Sequence, residues 1–126
     1  MRKTSIEFEV NQNWIDFVLD NIDIFNQSCI GYWGRGIYHV PGKVWLVCDM
    51  ESLPNRLTNE MKDQAINCLK DNVKLPEHFY IINDEVVIEA YRNGVRQLGE
   101  NWYDHADSND YDVALQKALF GKVVYG

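Results

Sequence analysis

Apolar and polar residues alternate over residues 4–10, where glutamates separate the apolar side chains. This period of two is typical of a half-buried strand, so we expect a strand here. The spacing then becomes helical, and Asn11 or Asn13 can cap a helix over residues 12–26. The predicted inner stripe of that helix is Trp14, Phe17, Val18, Ile22 and Phe25.

The middle of the chain predicts a β-hairpin. Residues 37–40 and 43–50 are rich in apolar and β-branched side chains, and Pro41-Gly42 lies between them. Proline followed by glycine suits the two central positions of a type II turn. A loop containing Pro54 follows over residues 51–56.

Three further helices and two short strands are predicted in the remainder. Thr58 is a candidate cap for a helix over residues 58–71, and residues 79–82 form a short strand. Asn83 or Asp84 caps the next helix, in which Gly94 weakens the middle. The last helix starts at residues 107–109 and ends at Gly121, and residues 123–125 return as an edge strand. The predicted inner positions of these three helices are Met61, Ala65, Cys68 and Leu69; Val87, Tyr91 and Leu98; and Val113, Ala114, Ala118 and Leu119.

The resulting order is β-α-β-β-α-β-α-α, with an optional final strand. Hairpin and crossover connections are mixed, which indicates the α+β class. We therefore predict a single compact domain over residues 1–126, with a small mixed or antiparallel sheet and about four helices packed on it. A chain of 126 residues can bury one core without disulfide or metal crosslinks.

Composition and charge narrow the classes of function. The chain is 46% hydrophobic and 25% charged, which is typical of a globular protein, and its net charge is −7. An acidic protein is a poor partner for a phosphate backbone, so we expect no direct binding of nucleic acid. Three widely spaced cysteines give neither a disulfide framework nor a zinc motif. The chain shows no leader and no apolar run of the ~20 residues needed to span a membrane, so we expect a cytoplasmic location without membrane contact.

The common catalytic motifs are missing from the sequence. It contains no phosphate-binding loop, no dinucleotide fingerprint, no HExxH and no GxSxG, and its three histidines lie far apart. We therefore assign no catalytic residue, no metal ligand and no cofactor from the sequence. Asp49 and Glu51 follow a strand and could act as an acid–base pair, but no nucleophile accompanies them.

The first candidate ligand site is the glycine-rich segment of residues 31–36. Tyr32 and Trp33 offer flat faces for stacking, and the Arg35 guanidinium can pair with phosphate through two hydrogen bonds. Glycines in such a loop let a ligand approach the backbone N–H groups. The competing interpretation is structural: an aromatic ring of this segment belongs to the core, and the glycines only form turns.

Two charged clusters are further candidates. Arg92 and Arg96 are four residues apart and share a helical face, so with Arg35 they could form an anion pocket, or they could be a solvated face. Residues 104–112 carry four aspartates and His105. Oxygen-rich loops can hold a hard cation, but acidic residues are also common at helix starts, because they complement the helix dipole.

Two strings carry a resemblance to a known family. Residues 114–126 read A-L-Q-K-A-L-F-G-K-V-V-Y-G, and residues 29–33 read C-I-G-Y-W. They resemble the corresponding strings of a family of small, largely uncharacterised proteins from tailed bacteriophages and prophages. The resemblance implies a phage or prophage source and a bacterial host cytoplasm, and it implies no catalytic residue. Physically, the two strings could pack together, with Phe120 and Tyr125 closing the core beside Trp33.

Three hypotheses for function follow. The first is a non-enzymatic binder that counters host defence by sequestering a nucleotide-type signal, with Tyr32 and Trp33 stacking on a base and Arg35, Arg92 or Arg96 meeting phosphate. The second is an acidic inhibitor of a host protein, with mimicry of DNA charge as one version, and the third is a metal-dependent hydrolase. A symmetric homodimer is compatible with each of them.

Overall fold

A computed structural model describes Ile15, Asp16, Leu19 and residues 33–99 and 101–125. Its elements in chain order are β1 (Gly34–Val40), β2 (Val44–Asp49), α1 (Asn59–Lys70), β3 (Phe79–Asn83), α2 (Asp84–Leu98), α3 (Trp102–His105) and α4 (Ser108–Phe120). The predicted strand over residues 4–10 lies outside the described residues. Of the predicted first helix, Ile15, Asp16 and Leu19 are described and have helical backbone.

The three described strands form one antiparallel sheet in the order β1-β2-β3. The predicted hairpin joins β1 and β2: the Lys43 N–H donates to the Val40 carbonyl at 3.0 Å. Gly42 has φ +71°, the left-handed value that the third position of a type II turn requires. A bulge between Gly36 and Tyr38 shifts the register of this pair.

Helices cover both faces of the sheet. On one face α1 contributes Ala65 to a cluster with Leu46, Cys48 and Phe79. On the other face α2 and α4 bury the larger core, whose members include Trp33, Trp45, Val47, Ile82, Val87, Tyr91, Trp102 and Leu115. The alternation of side chains along β2 divides its residues between the two clusters.

Local hydrogen bonds explain where the helices begin. The side chains of Thr58 and Asn83 accept from backbone N–H groups of the first turns of α1 and α2, as the sequence predicts. Asp107 and Asp110 form a reciprocal capping box at the start of α4. Gly121 ends α4 in the left-handed conformation, with φ +76°.

The α+β class is confirmed, but several details of the prediction are wrong. Apart from the single turn α3, the described residues contain three helices of 12, 15 and 13 residues, so the predicted count of about four is slightly off. The single turn α3 was not predicted. Leu98 is 43% exposed rather than buried, because α2 ends at this residue. Residues 123–125 form no strand.

Gly94 has a packing role that its sequence position did not indicate. It is buried in α2, and the indole of Trp102 from α3 lies against it. A Cβ atom at this position would fall 2.1 Å from Trp102 Cε2, which is far inside van der Waals contact. The missing side chain is therefore what lets α3 pack against α2.

Candidate functional site

Trp33 lies directly before β1 and is completely buried. Its indole Nε1–H donates to Asp112 Oδ1 at 2.8 Å, across 79 residues of sequence. Asp112 is 1% exposed and its other oxygen, Oδ2, accepts from Gln116 Nε2 at 2.9 Å. Asp112 and Gln116 are one helical turn apart on α4, so the helix orients both the indole and the carboxamide.

Gln116 holds the residues that follow α4, residues 122–125, which we call the tail. Its Oε1 accepts from the backbone N–H of Val124 at 3.0 Å and of Tyr125 at 2.8 Å. Its Nε2 also donates to the Tyr125 carbonyl at 2.9 Å. The side-chain amide thus makes the hydrogen bonds that a neighbouring strand would make, which is why the tail needs no strand partner.

Tyr125 places its ring over Trp33. The two ring centroids are 5.6 Å apart with 19° between the planes, a stacked arrangement. Phe120 meets Trp33 edge-on, with centroids 5.2 Å apart. The predicted packing of Phe120 and Tyr125 beside Trp33 is confirmed.

The hydroxyl of Tyr125 reaches the end of β2. It donates to Asp49 Oδ2 at 2.6 Å. Asp49 is 4% exposed, and its Oδ1 accepts from the Ser52 N–H at 3.3 Å. We call Trp33 and Asp49 the ring site, because this indole platform and this buried carboxylate hold the Tyr125 ring between them.

The loop beside the ring site is fixed by Asp49 and His78. The Asp49 N–H donates to the His78 carbonyl at 2.7 Å, and the Ser52 hydroxyl lies 2.6 Å from His78 Nδ1. His78 has φ +76°, a left-handed conformation that a non-glycine residue adopts rarely. These contacts hold the backbone that carries the Asp49 carboxylate.

Burial and negative charge shape the proton affinities around this site. Burial, together with the hydrogen bond to Asp49 and the Asp49 charge, raises the pKa of Tyr125 to about 12. Burial and then the same charge also raise the pKa of Tyr80. Both phenols therefore stay protonated throughout the physiological pH range.

The structure describes four of the five residues predicted to bind a ligand. Tyr32 lies outside the described residues. Trp33 is in the core, as the structural interpretation of the glycine segment expects, whereas the side chain of Arg35 is exposed on β1. Arg92 and Arg96 flank Glu89 on α2, with N–O distances of 3.3 and 3.6 Å.

Three described aspartates of the acidic stretch have structural roles. Asp107 and Asp110 cap α4, and Asp112 points into the core. Among residues 15, 16, 19, 33–99 and 101–125, no three His, Cys, Asp or Glu side chains are grouped so that they could hold a metal ion. No helix in that same part has the length and hydrophobicity to span a lipid bilayer.

Sequence reasoning missed the buried polar residues of the site. Asp112 and Gln116 interrupt an apolar stripe; Asp112 was predicted only as part of the acidic stretch, and Gln116 was not singled out. Their spacing of four residues, beside the buried Ala114 and Leu115, was the available signal. A polar pair at this spacing within a core stripe indicates a satisfied internal network.

Comparison of the chain with protein-family models, with curated proteins and with solved structures gives no match.

Proposed function

We propose that this protein is a non-enzymatic binder of a nucleotide-type ligand, and that it acts by sequestering that ligand. The observation that supports the proposal is the ring site, where an aromatic ring is stacked on Trp33 and hydrogen-bonded to the buried Asp49 carboxylate. A heterocyclic base is held by these same two contacts, a flat face and an edge-on acceptor.

Arginines supply the phosphate contact in this proposal. Arg35 is adjacent to Gly34, and Gly34 is the register partner of Asp49 in the sheet. Neighbouring side chains on a strand alternate, so Arg35 projects to the other face of the sheet. A ligand that contacts both Asp49 and Arg35 must reach around β1, the outer strand of the described sheet. We expect a dinucleotide to span this path and a mononucleotide to fill only the ring site.

Arg92 and Arg96 are secondary candidates for phosphate. Both side chains are at least half exposed, and both face Glu89. An exposed ion pair contributes only about 0–1 kcal/mol, so phosphate can replace the glutamate at little cost. The tyrosine at position 32 stays a predicted stacking residue.

The resemblance to phage proteins gives this binding a biological setting. A phage protein that sequesters a nucleotide signal would counter a host defence that depends on the signal. The acidic inhibitor is the weaker alternative, because the described aspartates of residues 104–112 include two helix caps and one buried side chain.

The test is a panel of cyclic dinucleotides, cyclic trinucleotides and ADP-ribose derivatives, measured by thermal shift and calorimetry on the full chain. We expect at least one member to bind, and Arg35→Gln to weaken that binding. Lys43→Gln is the matched control, because Lys43 is also exposed and cationic but lies in the hairpin turn at the other end of β1. If the whole panel gives neither a shift nor heat, the proposal is wrong.

A further inference from the structure

Tyr125 resembles a bound ligand more than an ordinary core residue. Its ring stacks on Trp33, and its hydroxyl meets a carboxylate that is 4% exposed, yet it belongs to a segment without regular secondary structure. Val123 and Val124 of the same segment are 40% and 47% exposed. The tail thus has one partly buried aromatic side chain next to exposed neighbours.

The Gln116 side chain makes three hydrogen bonds with the tail backbone. The Tyr125 side chain adds its contacts with Trp33, Phe120 and Asp49. Gly121 turns the chain away from α4, so the tail can leave without unwinding the helix. If the tail leaves, Trp33 and Gln116 keep their hydrogen bonds to Asp112. The Trp33 indole therefore stays in position.

We propose that the tail is an internal occupant of the ring site, and that a ligand binds by displacing Tyr125 with a ring of its own. This inference rests on the proposed function and specifies the ligand. A carboxylate accepts hydrogen bonds and donates none, so the incoming ring must present a donor where Tyr125 presents its hydroxyl.

The donor requirement favours guanine among the common bases. Guanine carries two N–H donors side by side on its Watson–Crick edge, and a carboxylate can accept both. Adenine places an acceptor nitrogen beside its amino group on that edge, which would face the Asp49 oxygens unfavourably. The ring site is therefore expected to select guanine nucleotides over adenine nucleotides.

Competition between Tyr125 and the ligand makes a direct prediction. If Tyr125 must leave the ring site before a ligand binds, only the fraction of molecules with a released tail can bind. The apparent affinity for the ligand is reduced by that fraction. Tyr125→Ala removes the occupant, so the full-length variant should bind cyclic di-GMP at least tenfold more tightly than the wild type. Cyclic di-AMP has the same backbone charge and should bind more weakly to both proteins.

Two further variants provide a control and a second test. Val124→Ala alters an exposed tail side chain and leaves the backbone bond to Gln116, so its dissociation constant should equal that of the wild type. Tyr125→Phe keeps the stacked ring and loses only the donor, so it should show a smaller gain than Tyr125→Ala. It also serves as the test if Tyr125→Ala does not fold.

Hydrogen exchange gives a readout that is independent of affinity. The amides of Val124 and Tyr125 donate to Gln116 in the closed tail and should exchange faster when cyclic di-GMP is bound. Equal affinity of wild type and Tyr125→Ala for the dinucleotide, with unchanged exchange of these amides, would overturn the inference and leave the proposed function standing. Equal binding of the guanine and adenine dinucleotides would overturn the expectation that the ring site selects guanine. If neither dinucleotide binds either protein, both the inference and the proposal for cyclic dinucleotides fail.

Discussion

Tyr125 and Asp49 lie 76 residues apart in the sequence and are joined by a hydrogen bond of 2.6 Å. This bond connects the end of the chain to the end of the central strand. It also satisfies one oxygen of a carboxylate that is almost fully buried. Fold stability and the candidate site therefore share this contact, and changes to it should affect both.

Removing only the Tyr125 hydroxyl tests whether its hydrogen bond to Asp49 stabilises the fold. We expect Tyr125→Phe to lower the free energy of unfolding by about 1–3 kcal/mol, because it leaves a buried carboxylate oxygen without its donor. Denaturant titration measures the change. Tyr38→Phe is the matched control, since Tyr38 contacts Lys70 through its ring. A loss as large in Tyr38→Phe would show that the effect is not specific to the Asp49 bond.

Alkaline pH should weaken the contribution of Tyr125. Its pKa is raised from 10.0 to about 12 in the folded protein, so the unfolded chain releases this proton first. Above pH 10 the folded state holds more protons than the unfolded state, and the stability from Tyr125 therefore falls as the pH rises from 10 through about 12. The measurable quantity is the stability difference between wild type and Tyr125→Phe, which should be constant below pH 9.5 or so and shrink above it. A difference that grows in this range would contradict the direction of the shift.

Much of this architecture could be predicted because its signals are local. Thr58, Asn83 and Gly121 mark helix ends by their own hydrogen bonding or backbone freedom, and Pro41-Gly42 marks the hairpin turn. The aromatic packing of Trp33 with Phe120 and Tyr125 was predictable from two strings at opposite ends of the described chain.

The remaining features depend on contacts between distant parts of the sequence. The tail looked like a strand because Val123 and Val124 favour extended backbone, but its hydrogen-bond partner is the Gln116 side chain. Asp112 looked like part of an acidic surface, because nothing near it in the sequence reveals the Trp33 indole that it meets. Ile15 and Leu19 are buried although the predicted helical stripe omitted them.

Trp33 gives a third prediction. Trp33→Phe removes the indole N–H from Asp112 and leaves a smaller ring in a fully buried position. We expect a loss of about 2–4 kcal/mol from the lost hydrogen bond to a buried charge and the cavity. The fluorescence of the protein should also lose a component that is blue-shifted and protected from acrylamide. An unchanged spectrum with unchanged stability would contradict the buried position of Trp33.

Gly94→Ala is predicted to destabilise the protein, although the same substitution normally stabilises a helix. Glycine to alanine inside a helix usually adds about 0.5–1 kcal/mol of stability. Here we expect Gly94→Ala to lower stability by about 1–3 kcal/mol, because the new Cβ would overlap the Trp102 indole. Combining it with Trp102→Leu should reduce the penalty assigned to Gly94→Ala, which a double-mutant cycle measures. Additive effects of the two changes would contradict the contact.

The two described cysteines should differ in reactivity. Burial, with a further contribution from the Asp49 charge, raises the pKa of Cys48 to about 11, and the residue is fully buried, whereas Cys68 is partly exposed on α1. In a Cys29→Ser background, iodoacetamide at pH 8 should modify Cys68 first and Cys48 only after unfolding. Mass spectrometry of the digested protein identifies the site. Preferential labelling of Cys48 in the folded protein would contradict its burial.

The most direct test of the ring site is an NMR titration of the full-length protein with cyclic di-GMP, observed at the tryptophan indole N–H groups. Trp33 donates to Asp112 beside the ring site, whereas Trp45 donates to the Leu19 carbonyl on the same sheet face. Single Trp→Phe variants assign the two signals. We predict that the Trp33 indole and the Tyr125 amide shift together with one dissociation constant, while the Trp45 indole stays in place. Saturating ligand that shifts the Trp45 indole and leaves Trp33 and Tyr125 unmoved would contradict the account.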